Sequence, residues 1–408
     1  MTAASQTAES LPGPAWRTRA WGIVGALSVT ETVSWGILYY AFAAFLVPMQ
    51  QDLGYSAEQL TGAFSLALAV SAVAGVAVGR YLDHHGPRGL MTIGSTAGAA
   101  LVVLWSQVDG LVELYLLWAA IGVVMAAVLY EPAFTVVAKH FPDAPDRRRA
   151  MTAMTLVAAL ASFIFLPLSE GLIEAHGWRD ALLVLAAILA TFTIPLHAVV
   201  LRPAPRPRPV EVTHSTAAGD ALRSLPFWLL SGAFVLASLS TIAMMVFAIP
   251  FLLERGHSAA FAAFAVGLAG ASQIPGRLLF APLVARRPRA TATASVFALI
   301  GLGAAIVVAV HSTPAVIAGL VVLGMGNGMA TLARATTIAD HYGPAAYGTI
   351  ASVAGGLTTG ARAAGPFAAA VYAGAVGYTA LLWTLAALAL VAAALAHRAE
   401  RGAAAQPA

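Results

Sequence analysis

Long apolar runs alternate with short polar connections along the whole chain. Each run has about 18–25 residues, the length that an α-helix needs to cross a membrane. The pattern predicts twelve membrane-spanning helices, at 21–49, 60–82, 90–108, 112–138, 150–173, 179–200, 227–252, 259–285, 291–311, 314–339, 347–373 and 377–396. We therefore expect an all-α integral membrane protein.

The longest polar connection divides these spans into two sets of six. It covers 201–226 and is rich in proline, which is typical of a semi-rigid linker. The predicted organisation is a disordered tail at 1–20, six-helix bundles at 21–200 and 227–396, the linker between them, and a second tail at 397–408. The first 15 residues lack the basic and then apolar order of a signal peptide.

The two halves also resemble each other at a spacing of about 200 residues, as internal structural repeats do. The segment AKHFP (138–142) is repeated as ADHYGP (339–344), Pro167 as Pro366, and GWRDALLVLAA (177–187) as GYTALLWTLAA (377–387). Parallel halves of six spans are the architecture of many secondary transporters. The repeat predicts two pseudo-symmetric bundles.

The composition agrees with a protein whose main solvent is lipid. Of the 408 residues 60% are hydrophobic and 10% are charged, against about 25% charged in soluble proteins. No polar domain carries a basic patch, so we expect no nucleic-acid partner. The chain has no cysteine, which excludes thiolate metal sites, and nothing in it suggests another metal site or a cofactor.

The basic residues are concentrated in alternate connections. Seventeen of the 22 lysines and arginines lie in one set of loops and tails, and the other set contains only Arg179 and Arg255 beside several acids. The positive-inside rule then predicts that both termini are cytoplasmic.

The segment GRYLDHHGPRG (79–89) connects the second and third spans. It resembles the signature loop of the major facilitator superfamily, in which Gly79, Asp83, Gly86 and Arg88 occupy the recurring positions. The resemblance implies that this loop helps to gate the transporter. It also implies that Asp83 caps the start of span eleven, where a carboxylate meets the helix dipole, in the outward-facing state. A solvated loop acid is the alternative for Asp83.

Two other segments are similar to bacterial oxalate/formate antiporter-like and monocarboxylate transporter-like members of that superfamily. They are Gly36–Ser56 and Arg147–Ala181. In that group an arginine in span eight, and often a basic residue in span eleven, is associated with carboxylate binding. Arg277 and Arg362 occupy those spans here, whereas Gln273 stands where the animal members have an aspartate.

Five charged residues lie well inside the predicted spans: Glu31, Glu131, Arg277, Arg334 and Arg362. A charge at bilayer depth costs roughly 2.5–3.5 kcal/mol on insertion scales, so each should face water, a partner or a substrate. Three cations against two acids leave a surplus positive charge. This surplus predicts an anionic substrate.

Each of these residues has a candidate role and an alternative. Arg277 and Arg362, assisted by Gln273, are candidate ligands of a substrate carboxylate, because a guanidinium is a planar fork of donors. The alternative for Arg277 is a structural ion pair with Glu31 or Glu131.

The other candidate residues lie on spans one, four and ten. Glu31 is either a proton-coupling residue or a fixed partner of an arginine. Glu131 and Arg334 are at matching depths near the cytoplasmic side, which favours a role in the gate. Trp35 and Tyr39 either line the substrate cavity or pack in the core.

These features predict a secondary active transporter of the cytoplasmic membrane. It would move a small organic anion, a monocarboxylate or dicarboxylate, by alternating access as a monomer, in proton symport or in exchange for a counter-anion. The alternative is an efflux pump for a drug or neutral metabolite, with structural arginines. The sequence contains no GxxxxGK[ST], HExxH or GxSxG motif, so we expect neither ATP-driven transport nor an enzyme. Its short polar segments do not favour a membrane sensor.

Overall fold

The computed structural model describes residues 14–141, 143–201, 218–285, 289–343 and 346–404, which are almost entirely helical. The helices are α1 (Pro14–Trp35, Gly36–Tyr40 and Ala41–Leu53), α2 (Ala57–His85), α3 (Pro87–Trp105), α4 (Leu111–Val128 and Tyr130–His140), α5 (Ala144–Ala158 and Ala161–His176), α6 (Trp178–Pro195 and Leu196–Val200), α7 (Leu225–Glu254), α8 (Ala259–Ala271 and Gln273–Ala285), α9 (Arg289–Ala309), α10 (Thr313–Tyr342) and the stretch Tyr347–Ala404. Gly377 divides that last stretch into α11 before it and α12 after it, because its φ of 83° is not helical. The all-α prediction is confirmed.

Ten stretches of the described chain are long and apolar enough to cross a membrane. Tyr347–Arg401 is one of the ten and contains both α11 and α12. The two pieces of α8 are not among them, since each has only 13 residues.

The helix ends follow ordinary capping chemistry. Ser56 and Gln59 form a reciprocal capping box at the start of α2, which satisfies two backbone donors. The Ser224 hydroxyl accepts a hydrogen bond from the Phe227 N–H at the start of α7. These polar residues set the points at which the chain enters the bundle.

Helix α8 is interrupted at Ser272, in the middle of a predicted span. Three residues later, Pro275 has no N–H to donate to the carbonyl of Ala271, and its ring is crowded against that carbonyl. The Ser272 hydroxyl donates to the carbonyls of Ala269 and of Val321 on α10. The break therefore lies one turn before Arg277.

Three predicted boundaries were wrong. Helix α1 begins at Pro14, inside the predicted disordered tail, because proline is preorganised for a first helical turn and Ala20 is already buried. A short helix, Ala218–Arg223, lies inside the predicted linker. Helix α12 continues past 396 because Ala399 still packs in the core. Residues 1–13, 202–217 and 405–408 of the predicted tails and linker lie outside the described residues.

The halves share part of their core. One cluster of buried apolar residues lies within the N-terminal half, and another joins α1, α4 and α5 to the C-terminal half. Met151 and Met154 of α5, for example, belong to the same cluster as Leu332 of α10. This shared core holds the halves together at the ends of these helices that adjoin the arginine-rich connections.

Candidate substrate cavity and gate

A cavity of about 330 Å³ lies between the two halves. Its lining includes all five residues that the sequence suggested for substrate binding: Trp35, Tyr39, Gln273, Arg277 and Arg362. Tyr40 and Tyr130 line it from the N-terminal half, and Asn327 and Thr331 line it from α10. These polar α10 residues were not among our sequence candidates, because an isolated asparagine or threonine in an apolar span usually serves helix packing.

Arg277 is buried, and no carboxylate of the described residues is paired with it. Its Nη1 donates to the backbone carbonyl of Thr155, 2.6 Å away on α5 of the other half. Its side chain also approaches the phenol of Tyr130, and its Nε has no hydrogen-bond partner in the described protein. The guanidinium is therefore held in a fixed direction by neutral groups, with donor capacity left over.

The two acids that sequence analysis offered as partners of Arg277 bind elsewhere. Glu131 forms an ion pair with Arg334, and Glu31 accepts a hydrogen bond from the indole N–H of Trp35 at 3.1 Å. Glu31 is fully buried behind Trp35, and its second oxygen has no partner within the described chain. Glu31 thus touches a cavity-lining residue without lining the cavity.

Arg362 is exposed at the cavity. Within the described ranges no hydrogen bond or ion pair is recorded for its side chain. Gln273 lies one helical turn before Arg277 and is half-buried, also at the cavity. The C-terminal half therefore presents unsatisfied donors to this space.

Asp83 joins α2 to the start of α11. Its Oδ1 accepts from the Gly348 N–H at 3.0 Å, and its Oδ2 accepts from the Thr349 N–H and hydroxyl at 2.8 and 2.9 Å. The Nζ of Lys139 lies 3.1 Å from Oδ1 of Asp83 and forms an ion pair with it. A carboxylate at this place satisfies orphan N–H groups and interacts with the positive end of the helix dipole.

The other signature-loop residues have different positions. Gly79 lies where α2 approaches α11 so closely that a Cβ would overlap the Gly348 carbonyl. Gly86, with φ of 81°, makes the turn between α2 and α3. Arg88 is exposed in the first turn of α3, and the structure does not bring it to the contact with α11.

Three further ion pairs cross between the halves at this side of the cavity. Glu131 and Arg334 are 2.6 Å apart, line the cavity and abut Gly355. Asp340 of α10 binds both Arg147 and Arg148 of α5. We call these contacts, together with those of Asp83, the arginine-rich gate, after the gating role that the sequence predicts; they join the two halves on the side of the arginine-rich connections.

Sequence reasoning did not identify Lys139 and Asp340 as gate residues. A signal was available in the repeat, because aligning AKHFP with ADHYGP places Lys139 opposite Asp340. The structure pairs Lys139 with Asp83, and Asp340 with Arg147 and Arg148, so these equivalent positions contribute to one interface without binding each other.

Several relatives of known activity are similar to this chain. Monocarboxylate transporter 2 of Mesocricetus auratus is 28% identical over 188 residues, 45% of this chain and 38% of that protein. The oxalate:formate antiporter of Oxalobacter formigenes is 24% identical over 226 residues, 54% of this chain and 53% of that protein. Monocarboxylate transporter 13 of Rattus norvegicus is 25% identical over 269 residues, 63% of this chain and 59% of that protein. Each match spans less than two thirds of the relative's length.

Solved structures share the fold over nearly the whole chain. A variant of the Escherichia coli fucose:proton symporter FucP has a TM-score of 0.72 at 13% identity, over 94% of this chain and 99% of that one. The human organic anion transporter MFSD10 (TETRAN) has a TM-score of 0.68 at 16% identity, over 94% and 100%. The profile of the Major Facilitator Superfamily matches residues 27–366. Because this match covers most of the chain, the chain belongs to the Major Facilitator Superfamily of membrane transporters.

Proposed function

We propose that the protein is a secondary active transporter that moves a small organic anion through its central cavity. The observation that carries this proposal is the pair Arg277 and Arg362, which share one cavity and have no carboxylate partner among the described residues. Glu131 neutralises Arg334, so the other two arginines leave the cavity cationic. A carboxylate satisfies such guanidinium groups in a bidentate manner, which supports an anionic cargo.

The relatives named as monocarboxylate transporters and as an oxalate:formate antiporter support the same cargo class. One of these relatives is named as an antiporter, which supports exchange for a counter-anion. Symport with a proton is the other form of coupling that we propose. Intramembrane charges are retained where they serve a substrate or ion pathway, which disfavours an efflux pump with purely structural arginines.

Under this proposal the transporter works by alternating access with twelve spans. The count takes α8 as one span and divides Tyr347–Ala404 into α11 and α12. The arginine-rich connections would face the cytoplasm, together with both termini, as the positive-inside rule predicts for the cytoplasmic membrane. The closed arginine-rich gate would then belong to an outward-facing conformation.

Counterflow in reconstituted vesicles tests the cargo. Vesicles preloaded with an unlabelled mono- or dicarboxylate should transiently accumulate the same labelled compound, and protein-free vesicles should not. The panel would include formate, lactate and oxalate, with a neutral sugar and a neutral drug as contrasting cargoes. Transport of the neutral compounds alone would contradict the proposal and support the efflux alternative.

Glu31 is our candidate for proton coupling. It is a fully buried acid, one of its oxygens has no hydrogen-bond partner among the described residues, and it contacts cavity-lining Trp35. Glu31→Gln keeps the side-chain shape and an acceptor for the indole N–H. We expect this variant to lose accumulation driven by a proton gradient while anion exchange continues. Uptake would be measured with and without an imposed gradient.

The matched control is Glu170→Gln on α5, because Glu170 is exposed. It should keep the wild-type response to the gradient. A Glu31→Gln variant that still responds fully would remove Glu31 from the coupling mechanism.

A further inference from the structure

The first helix changes its winding beside the cavity. Gly36–Tyr40 is a π-helical turn, closed by a hydrogen bond from the Ala41 N–H to the Gly36 carbonyl. In a regular α-helix a side chain five positions after Trp35 would be rotated by about 140° from it. The wider π turn reduces that rotation, and such turns are frequent at functional sites. Trp35, Tyr39 and Tyr40 all line the cavity as a result.

These three rings and Tyr130 form one continuous surface, which we call the aromatic wall. The ring centroids of Trp35 and Tyr39 are 5.0 Å apart, those of Trp35 and Tyr130 are 4.9 Å apart, and those of Tyr39 and Tyr40 are 5.1 Å apart. Each of the four side chains is partly exposed, in contrast to the fully buried rings behind them. Gly36 lets this turn lie against α5, where a Cβ would overlap Phe165.

The opposite side of the cavity has different chemistry. The C-terminal half contributes the donors of Arg277, Arg362 and Gln273. The two sides meet where the phenol of Tyr130 approaches Arg277. The cavity is therefore amphipathic, with apolar ring faces on one side and surplus positive charge on the other.

We propose that the transported anion has a flat aromatic body and a single carboxylate group. This inference rests on the proposed function and specifies its substrate class. The carboxylate binds Arg277 and Arg362, and the ring packs against the aromatic wall in the offset or edge-on geometry that aromatic pairs prefer. The cavity volume, about 330 Å³, is within the range of sites that enclose organic ligands and exceeds the needs of a two-carbon anion.

A competition series tests the flat ring directly on the wild-type protein. The experiment measures the uptake of labelled benzoate into reconstituted vesicles at neutral pH. It compares how strongly unlabelled benzoate, cyclohexanecarboxylate, acetate and oxalate each inhibit that uptake. Benzoate should compete about three- to tenfold better than cyclohexanecarboxylate, which has a similar size and the same charge but is not flat. Acetate and oxalate should compete more weakly still.

The outcomes separate this inference from the proposed function. Equal competition by benzoate and cyclohexanecarboxylate, or stronger competition by oxalate or acetate, overturns the aromatic substrate and leaves anion transport intact. Transport of no carboxylate at all overturns both.

Tyr39 offers a matched pair of variants, since its ring packs on Trp35 and Phe64 and no hydrogen bond of its hydroxyl is recorded in the described residues. Tyr39→Phe keeps the ring and should keep the preference for benzoate over cyclohexanecarboxylate. Tyr39→Leu removes the ring and should reduce that ratio several-fold, and a single symmetric elution peak of the purified variant in size-exclusion chromatography would show that it is folded. Phe163→Leu, at a position 63% exposed on α5, controls for loss of an aromatic residue elsewhere. An unchanged ratio in Tyr39→Leu overturns the role of the wall.

Discussion

Arg277→Ala is expected to abolish carboxylate transport and to weaken substrate binding roughly 100-fold. The side chain is only 8% exposed, and its Nη1 is fixed by the Thr155 carbonyl. A preoriented, desolvated guanidinium binds an anion far more strongly than a solvated one, and alanine removes both the charge and its direction. Binding would be measured by calorimetry on the purified protein and transport by counterflow.

Three companion variants define the mechanism. Arg277→Lys keeps the charge and loses the planar fork, so its affinity should be intermediate. Arg362→Ala should weaken binding less than Arg277→Ala, because Arg362 is exposed and its charge is better screened. Arg149→Ala is the control, since the Arg149 side chain is 70% exposed in the second turn of α5. Normal transport by Arg277→Ala would show that Arg277 is not a ligand of a substrate carboxylate, and it would favour a neutral cargo.

The apolar runs alone predicted most of the fold. Their length is set by the membrane, so the positions of the helices follow from hydropathy, with errors at the helix ends of up to about two turns. The internal details of the helices do not follow in this way. The break at Ser272 and the π turn at Gly36–Tyr40 each depend on a shift in one or two backbone hydrogen bonds, which the apolar pattern does not record.

The sequence identified charged residues that line the cavity, but it did not determine how the buried charges pair. Glu131 and Arg334 were predicted at matching depths, and the structure joins them in one ion pair. The same reasoning left Arg277 with two possible acidic partners and no means of choosing, because the direction of a side chain depends on helix rotation and packing. The structure places Thr155 and Tyr130 beside it instead.

The arginine-rich gate depends on a close approach of two backbones, and this makes Gly79 the most sensitive position of the gate. A Cβ at Gly79 would overlap the carbonyl of Gly348 and come within 2.5 Å of the Ser352 hydroxyl. Helices α2 and α11 would have to separate, and Asp83 would lose its hydrogen bonds to the Gly348 and Thr349 N–H groups. Hydrogen bonds to a charged group contribute about 1.5–3 kcal/mol each, so losing them disfavours the closed gate.

We therefore expect Gly79→Ala to reduce the population of the closed gate about tenfold or more and to slow transport. Gly75→Ala is a matched control one turn earlier on the same helix, because its Cβ would meet Ser352 only at 4.0 Å, an ordinary contact. The natural chain has no cysteine, so a single Thr331→Cys label site in the cavity reports access without background. Its reaction with an impermeant thiol reagent should become faster from the arginine-rich side in Gly79→Ala and remain unchanged in Gly75→Ala. Equal labelling in both backgrounds would mean that the contact between α2 and α11 does not control the gate.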